Sequence, residues 1–327
     1  MSGSTSGLVL IDKPQSWTSH DAVARTRRLA GTRKVGHAGT LDPMATGLLI
    51  LGINSSTRLL TFVVGLDKEY FATIRLGSAT TTDDAEGEEI TRASAETVAA
   101  LAPEAVAAGI AALTGAISQQ PSAVSAIKVD GVRAYARVRA GEAVDLPSRP
   151  VTVSAFELVG STPVDGFLDL TVRVECSSGT YIRALARDLG AGLGVGGHLT
   201  SLRRTRIGPF RIEEACPLDQ LDVASALIGP AAAATRILGR LDLTEQQAID
   251  LGHGKRIDVD AGQDRSQAGP VAAIAPDGRL IGLVEFRGTQ AKSLINFPPD
   301  ETPDETPDET PDETPDDAAA GAVDGDA

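Results

Sequence analysis

The sequence predicts an α+β fold, because strand-like and helix-like segments follow one another irregularly along the chain. Residues 47–53 form a continuous apolar run between glycines, which is typical of a strand buried on both faces. Residues 70–76 alternate as a half-buried strand does, and residues 95–113 are Ala-rich with apolar residues at helical spacing. The order lacks a regular βαβ rhythm, which argues against a doubly wound parallel sheet.

The first half of the chain predicts these elements in order. Residues 7–11 indicate a strand, and residues 18–29 a helix for which Thr18 or Ser19 is available as N-cap. The strands at 47–53 and 70–76 follow. Pro103 lacks a backbone N–H and should therefore split the helix over 95–113 in two.

The second half predicts strands at 151–158 and 167–176, and then a helix over 181–193 with Arg183 in its first turn. After Pro217 the composition shifts toward Ala and Leu, and glycines then punctuate short strands such as 280–286. This pattern predicts a small β-rich module near the C-terminus.

The net charge of −14 is a property of the C-terminal tail. Residues 298–327 hold twelve acids and no base, which leaves 32 acids and 30 bases in residues 1–297, a net charge of −2. The tail repeats Asp-Glu-Thr-Pro four times from Asp300 and has no apolar residues to bury there, so we expect it to be disordered.

The basic residues are clustered in three segments, and such clusters are typical either of a solvated face or of contact with an anionic partner. The clusters are Arg25, Arg27, Arg28, Arg33 and Lys34; Arg203, Arg204 and Arg206; and Lys128, Arg133, Arg137 and Arg139.

Cysteine and histidine usage predicts no metal site. Cys176 and Cys216 lack metal-ligand spacing and suggest a reducing cytosol, and the four histidines are scattered. The polar N-terminus predicts no signal peptide, and no apolar run approaches the ~20 residues needed to span a bilayer.

The segment from Gly36 to Leu49 is the candidate for chemistry, because it carries one carboxylate, Asp42, in a glycine-rich loop ahead of the apolar strand. Pro43 fixes φ directly after Asp42 and biases Asp42 itself toward an extended conformation. Asp42 is therefore either a rigidly mounted catalytic acid or simply a turn residue that caps local N–H groups.

Further motifs, in order and spacing, show a resemblance that covers residues 7 to about 209. They are Leu10-Ile11-Asp12-Lys13-Pro14; Thr18-Ser19-His20-Asp21; the Asp42 loop; Lys68-Glu69-Tyr70; Arg75-Leu76-Gly77; Asp83-Asp84-Ala85-Glu86-Gly87; Pro121 through Lys128; Ser178-Gly179-Thr180-Tyr181-Ile182-Arg183; and Asp188-Leu189-Gly190. With them the chain resembles the bacterial tRNA pseudouridine-55 synthases of the TruB type. One departure is that the family usually has Gly after Pro-Gln, where this chain has Ser16-Trp17.

The resemblance implies a mixed, mainly antiparallel central sheet flanked by helices, with a small C-terminal β-rich domain. The expected division is a disordered N-terminus (1–6), a catalytic domain (7–230), a PUA-like RNA-binding domain (231–297) and a disordered acidic tail (298–327). The implied activity is isomerisation of uridine 55 in the T-loop of tRNA, without cofactor or metal, by a cytoplasmic protein that binds no membrane and is expected to be a monomer. Beside such motifs, phosphate contact becomes the favoured interpretation of the basic clusters.

The resemblance also implies roles for single residues. Asp42 is the catalytic acid and Arg183 its ion-pair partner, while Tyr70 and Tyr181 line the uracil pocket. Tyr70 is in addition a candidate for proton transfer at C5, although a phenol with a pKa near ~10 is a poor base. Whether Asp42 adds to C6 or assists cleavage at C1′ stays open.

Lower-ranked site residues complete the prediction. The resemblance implies that His37 contacts RNA around the flipped nucleotide, that Asp84 touches unpaired bases, and that Leu202 contacts the substrate through its backbone. Lys128 either touches phosphate or merely flanks a strand.

Two other classes of protein compete with this interpretation. A non-catalytic RNA-binding protein or chaperone would need the basic clusters but could lose Asp42, so the joint presence of Asp42, Tyr70 and Arg183 favours the enzyme. A hydrolase or phosphotransferase that uses Asp42 would need a second acid for Mg²⁺ or a phosphate-binding G-x-x-x-x-G-K-[ST] loop, and the sequence lacks that loop.

Overall fold

The structure, a computed structural model, describes residues 5–122, 146–259 and 269–299, together with the backbone of 128–129 and 132–133. The strands in these residues are β1 (Gly7–Lys13), β2 (Val35–Ala38), β3 (Thr46–Ile53), β4 (Lys68–Leu76), β5 (Ser78–Thr80), β6 (Glu89–Arg92), β7 (Gly115–Gln119), β8 (Lys128–Val129), β9 (Val132–Arg133), β10 (Arg149–Val164), β11 (Phe167–Cys176), β12 (Gly197–Ile207), β13 (Phe210–Arg211), β14 (Cys216–Pro217), β15 (Gly239–Asp242), β16 (Ile257–Asp258), β17 (Val271–Ile274), β18 (Leu280–Arg287) and β19 (Gln290–Asn296). The α-helices are α1 (Ser19–Ala30), α2 (Leu60–Val64), α3 (Ala95–Ala99), α4 (Pro103–Ala112), α5 (Ile182–Gly192), α6 (Val223–Ala226), α7 (Pro230–Ile237) and α8 (Glu245–Gly252).

A ten-stranded sheet forms the centre of the molecule. Its order is β14-β1-β3-β12-β4-β11-β10-β7, with β2 paired to β3 and β13 paired to β12. Among these described pairs, only β1 with β14 and β3 with β12 are parallel. The predicted fold class, mixed and mainly antiparallel α+β, is confirmed.

Most predicted elements are confirmed at close to their predicted bounds. Helix α1 begins after Thr18, whose side chain accepts a hydrogen bond from the Asp21 N–H and so caps the helix. Pro103 starts α4 and separates it from α3, as expected of a residue that cannot continue a helix. Seven of the eight β3 residues are buried, consistent with a strand covered on both faces.

Strand β10 is longer than the predicted 151–158. Its distal half is exposed, so hydrophobic alternation could not reveal it, but backbone pairing with β11 continues to Val164. Asp165 and Gly166 close the hairpin, and both have positive φ, 49° and 84°. Two positive φ angles fit a tight turn matched to the strand twist, so the turn and not apolar content sets the strand length.

The predicted C-terminal β-rich module is a five-stranded sheet, β15-β17-β18-β19-β16. It shares one apolar cluster with the central sheet, in which Leu8 and Leu48 join Leu283 and Phe297. Helix α7 contacts both β1 and β17 and lies between the two sheets. The division at 230/231 and the PUA-like character stay predictions.

The Ser16 departure from the family pattern occurs at a strained position. Ser16 has φ 68°, in the left-handed region that glycine adopts most easily. Its N–H donates to the Pro43 carbonyl at 2.8 Å, and the Lys13 Nζ donates to the Trp17 carbonyl at 2.6 Å. The N-terminal loop is thereby attached to the Asp42 turn although serine replaces glycine.

In the part of the chain described above, none of the helices combines the length and apolar character needed to cross a membrane.

Candidate active site

Asp42 lies on the connection between β2 and β3, and helix α1 fixes this connection. The Ser19 hydroxyl accepts from the Leu41 N–H at 2.9 Å and donates to the Leu41 carbonyl at 3.2 Å. The Ala45 N–H donates to the Asp42 carbonyl at 3.1 Å. The turn is held on both sides of Asp42, whose side chain is still 38% exposed and open to a ligand.

Gly47 allows β12 to approach this loop. A Cβ on Gly47 would lie 2.2 Å from the Arg204 carbonyl oxygen, and the residue has φ 103°. Any side chain would therefore clash with the β12 backbone and strain the loop. The glycine brings the β12 residues, including Leu202 and Arg204, next to the Asp42 turn.

Arg183, in the first turn of α5, is the buried partner of Asp42. Its Nε lies 3.0 Å from Asp42 Oδ2, while its Nη1 donates to the Thr82 carbonyl at 2.9 Å. Nη1 also lies 3.4 Å from Asp84 Oδ2. The predicted ion pair between Arg183 and Asp42 is present, and the same guanidinium also pairs with a second acid, Asp84.

Asp84 is held rigidly in its own turn. Its Oδ1 accepts from the Thr82 hydroxyl at 2.5 Å and from the Glu86 N–H at 3.1 Å. The side chain is 5% exposed, so in the free protein Asp84 faces Arg183. Burial, aided by the negative charges of Asp84 and Asp42, raises the pKa of Glu86. Sequence reasoning did not predict Asp84 as a partner of Arg183.

The Asp42–Arg183 pair lies at the wall of a cavity of about 260 Å³. Three further predicted residues line it: Tyr70 on β4, Leu202 on the neighbouring strand β12, and Tyr181 just before α5. The Tyr181 N–H and carbonyl are both held by the Gln119 side chain, at 2.8 and 3.0 Å. Five of the eight predicted site residues therefore meet at one cavity.

Tyr70 is buried, and this burial raises the pKa of its hydroxyl above the ordinary value of 10.0. The nearby Arg204 cation opposes the shift. Arg204 is itself 1% exposed and donates to the carbonyls of Leu48 and Gly39 at 2.8 and 3.1 Å. Tyr70 is therefore a neutral phenol at pH 7, and its basic phenolate form is less populated than that of tyrosine in water.

Among the described residues, Asp84 and His37 are predicted site residues that do not line the cavity. His37 lies on β2, edge-on to His20 with ring centroids 5.8 Å apart. The side chain of Lys128 lies outside the described residues, so its predicted phosphate contact stays a prediction.

Lys68 is a cavity residue that sequence reasoning missed as a site residue. Its Nζ donates to the carbonyls of Val64 and Leu66 at 2.6 and 2.5 Å, and burial lowers its pKa from 10.5 to about 8. The signal was available, because the side-chain period of two puts Lys68 and Tyr70 on one face of β4.

Among the described residues, no group of three or more His, Cys, Asp or Glu could hold a metal ion.

The basic cluster at 203–206 is engaged within the protein. Arg203 binds Asp12 through two hydrogen bonds of 3.0 and 2.6 Å, and Arg206 Nη1 lies 2.6 Å from Asp67 Oδ2. Because Arg204 is fully buried, the expected phosphate contact of this cluster is wrong for Arg204. Its guanidinium supports the Asp42 loop instead.

Comparison with known proteins places this chain in a family. The fold resembles that of a protein in an H/ACA ribonucleoprotein bound to a substrate RNA containing 2′-deoxyuridine, with TM-score 0.65 at 23% identity, covering 90% of this chain and 86% of that one. Three family models match. They are TruB family pseudouridylate synthase (N-terminal domain) at 27–182, the tRNA pseudouridylate synthase B C-terminal domain at 183–238, and tRNA pseudouridine synthase II, C-terminal, at 238–298.

Curated relatives agree with the family models. The tRNA pseudouridine synthase B of Leifsonia xyli is 66% identical over 296 residues, which cover 90% of this chain and 98% of the relative. That of Paenarthrobacter aurescens is 55% identical over 300 residues, covering 90% and 96%. The fold and these matches define a pseudouridine synthase, an isomerase that acts on tRNA. Within that class, the chain belongs to the TruB family.

Proposed function

We propose that this protein converts uridine 55 in the T-loop of tRNA to pseudouridine, with Asp42 as the catalytic acid. The observation that carries the proposal is the Asp42–Arg183 pair, 3.0 Å apart, at the wall of a cavity of about 260 Å³. That volume is below the range of about 300–1,000 Å³ that is usual for ligand sites. It suits a single base better than a larger ligand.

The substrate base must leave its stack to reach Asp42. Extruding a base costs a few kcal/mol, which contacts inside the pocket must offset. Tyr70 and Tyr181 line the cavity and offer aromatic rings, and stacking on such rings contributes about 1–3 kcal/mol per base. Leu202 offers backbone groups, while His37, at the start of the Asp42 loop, is suited to contact RNA around the extruded nucleotide.

The reaction is an isomerisation, in which the C1′–N1 bond breaks, a C1′–C5 bond forms, C5 loses a proton and N1 gains one. No electrons are exchanged, so no redox cofactor is needed. We assign the carboxylate of Asp42 to C1′ or C6 of the uridine, where it acts as nucleophile or stabilises developing positive charge. Arg183 orients the carboxylate, because its guanidinium is itself fixed by Asp84 and by the Thr82 carbonyl.

Tyr70 contributes a neutral hydroxyl and a ring surface. Because burial raises its pKa, it serves as a hydrogen-bond donor in the free enzyme, and proton removal from C5 by this phenol requires that bound RNA change its surroundings. We further propose that the protein acts as a cytoplasmic monomer. The 7–230 region would then supply catalysis, and the 231–297 region would hold the T-stem-loop of tRNA.

The test is Asp42→Asn, with Asp67→Asn as the control at a surface carboxylate that pairs with Arg206. We expect Asp42→Asn to lower pseudouridine formation about 10³-fold or more, since the interaction is made in the transition state. Release of a tritium label from C5 measures turnover, and filter binding measures affinity for the T-stem-loop. Normal turnover by Asp42→Asn, or equal activity on RNA whose only uridine lies outside position 55, refutes the assignment.

A further inference from the structure

A group of exposed cations lies on the segment from α1 to β2. Arg28, Arg33 and Lys34 are exposed and, among the described residues, their side chains form no hydrogen bond or ion pair. Arg25 and Arg27, in the same segment, donate to the carbonyls of Leu218 and Val35. We call Arg28, Arg33 and Lys34 the basic surface.

The basic surface adjoins the point where the acidic tail begins. The Asn54 N–H donates to the Lys34 carbonyl at 2.8 Å, and the Thr32 hydroxyl donates to Asn54 Oδ1 at 2.9 Å. The next residue, Ser55, lines a cavity of about 360 Å³ together with Pro298 and Pro299. The last described residues therefore lie against the turn that also holds Lys34.

Two further contacts hold the end of the described chain in place. The Arg58 guanidinium donates a hydrogen bond to the Asn296 carbonyl, and Phe297 is buried in the shared apolar cluster. The exit point of residues 300–327 is consequently fixed relative to the basic surface.

The tail has the charge and the length to reach the basic surface. It carries twelve acids and no base. A flexible chain of this length has an end-to-end distance of roughly 30 Å. The C-terminal family model ends at residue 298, and the Leifsonia xyli relative is covered to 98% by an alignment that covers only 90% of this chain. The tail is therefore additional to the architecture that the family models describe.

We propose that the acidic tail docks on the basic surface of its own chain and competes there with RNA phosphates. Tethering supplies carboxylates at an effective concentration of about millimolar, so weak individual ion pairs suffice. The competition, which rests on the proposed RNA substrate, weakens binding that depends on phosphates alone. Where base and shape contacts also contribute, the same competition removes a smaller fraction of the total binding free energy.

Docking itself is tested without any activity measurement. A carbodiimide joins amines to carboxylates that are in contact, and mass spectrometry of the full-length chain then locates the joined peptides. We expect the Lys34 amine to be joined to tail carboxylates more than the exposed Lys255 and Lys292, with loss of the product in high salt and in the double variant Arg28→Ala, Arg33→Ala. Equal joining at all three lysines, no Lys34 product, or a product only between two copies of the chain overturns the proposal.

Competition is tested in the full chain by replacing each Asp-Glu pair of the four repeats with Asn-Gln. We expect this variant to bind an unrelated RNA about tenfold more tightly at low salt, and to show a steeper fall of affinity with salt, because RNA then displaces counterions instead of the tail. The rate at saturating T-stem-loop should be unchanged. Unaltered affinity and salt dependence overturn the competition, whereas failure of the uridine-55 assignment leaves both the joining result and the binding result intact.

Discussion

The cavity and the basic surface contain the same types of cationic residue in opposite environments. Arg183, Arg204 and Lys68 are buried and donate to backbone carbonyls or carboxylates at fixed distances. Arg28 and Arg33 are exposed and, within the described residues, unpaired. A buried cation must be matched by fixed partners because its desolvation is costly, and it therefore holds those partners at defined positions. An exposed cation stays solvated, and its attraction for anions is screened by salt.

The largest expected effect separates the two regions by kinetics. Arg183→Met should lower the single-turnover rate about 10²–10³-fold, because Asp42 loses the partner that orients it, while affinity for tRNA changes little. Arg28→Met, the control on the basic surface, should instead weaken binding and reduce the slope of log affinity against log salt by about 1, with the rate at saturating RNA retained. Rapid-quench and salt-titration measurements check both, and an unchanged single-turnover rate for Arg183→Met counts against the ion pair.

The second effect concerns stability. Arg204→Met should lower the free energy of unfolding by about 3 kcal/mol, because the carbonyls of Leu48 and Gly39 lose a charged donor in a buried site. Arg33→Met, at an exposed position, should change it by less than about 0.5 kcal/mol. Urea denaturation measures both. Equal small losses would show that burial does not distinguish these two arginines.

The smallest effect concerns pH. Burial lowers the pKa of Lys68 and of Lys13 from 10.5 to about 8. The unfolded chain therefore binds more protons above pH 8, and stability should rise with pH by up to about 1.4 kcal/mol per unit for each lysine. The window is pH 8 to 9, because above it Cys176 acts in the opposite sense: burial raises its pKa from 9.0 to about 11.

Urea denaturation between pH 8 and 9 checks this expectation. Lys68→Met should remove up to about 1.4 kcal/mol per pH unit from the slope, whereas Lys34→Met, at an exposed lysine, should leave the slope as it is. An identical slope in the two variants would contradict the assignment of the pH dependence to the buried lysine.

Local chemistry in the sequence determined much of this protein. Capping by Thr18, the break at Pro103 and the apolar run of β3 depend on neighbours within a few residues, so a pattern could reveal them. The motif order, carried by residues such as Asp42, Tyr70 and Arg183, was sufficient to indicate the family. The family matches confirm that family.

Only the tertiary structure decided which charges are internal. Arg204 lies beside Arg203 in the sequence, yet the β-strand alternation turns one guanidinium into the core and the other toward Asp12. The pairing of Arg183 with Asp84, and the proximity of Lys34 to the start of the tail, join segments far apart in the chain. Sequence patterns report local periodicity, whereas these contacts depend on how distant elements pack, and so they appear only in the folded chain.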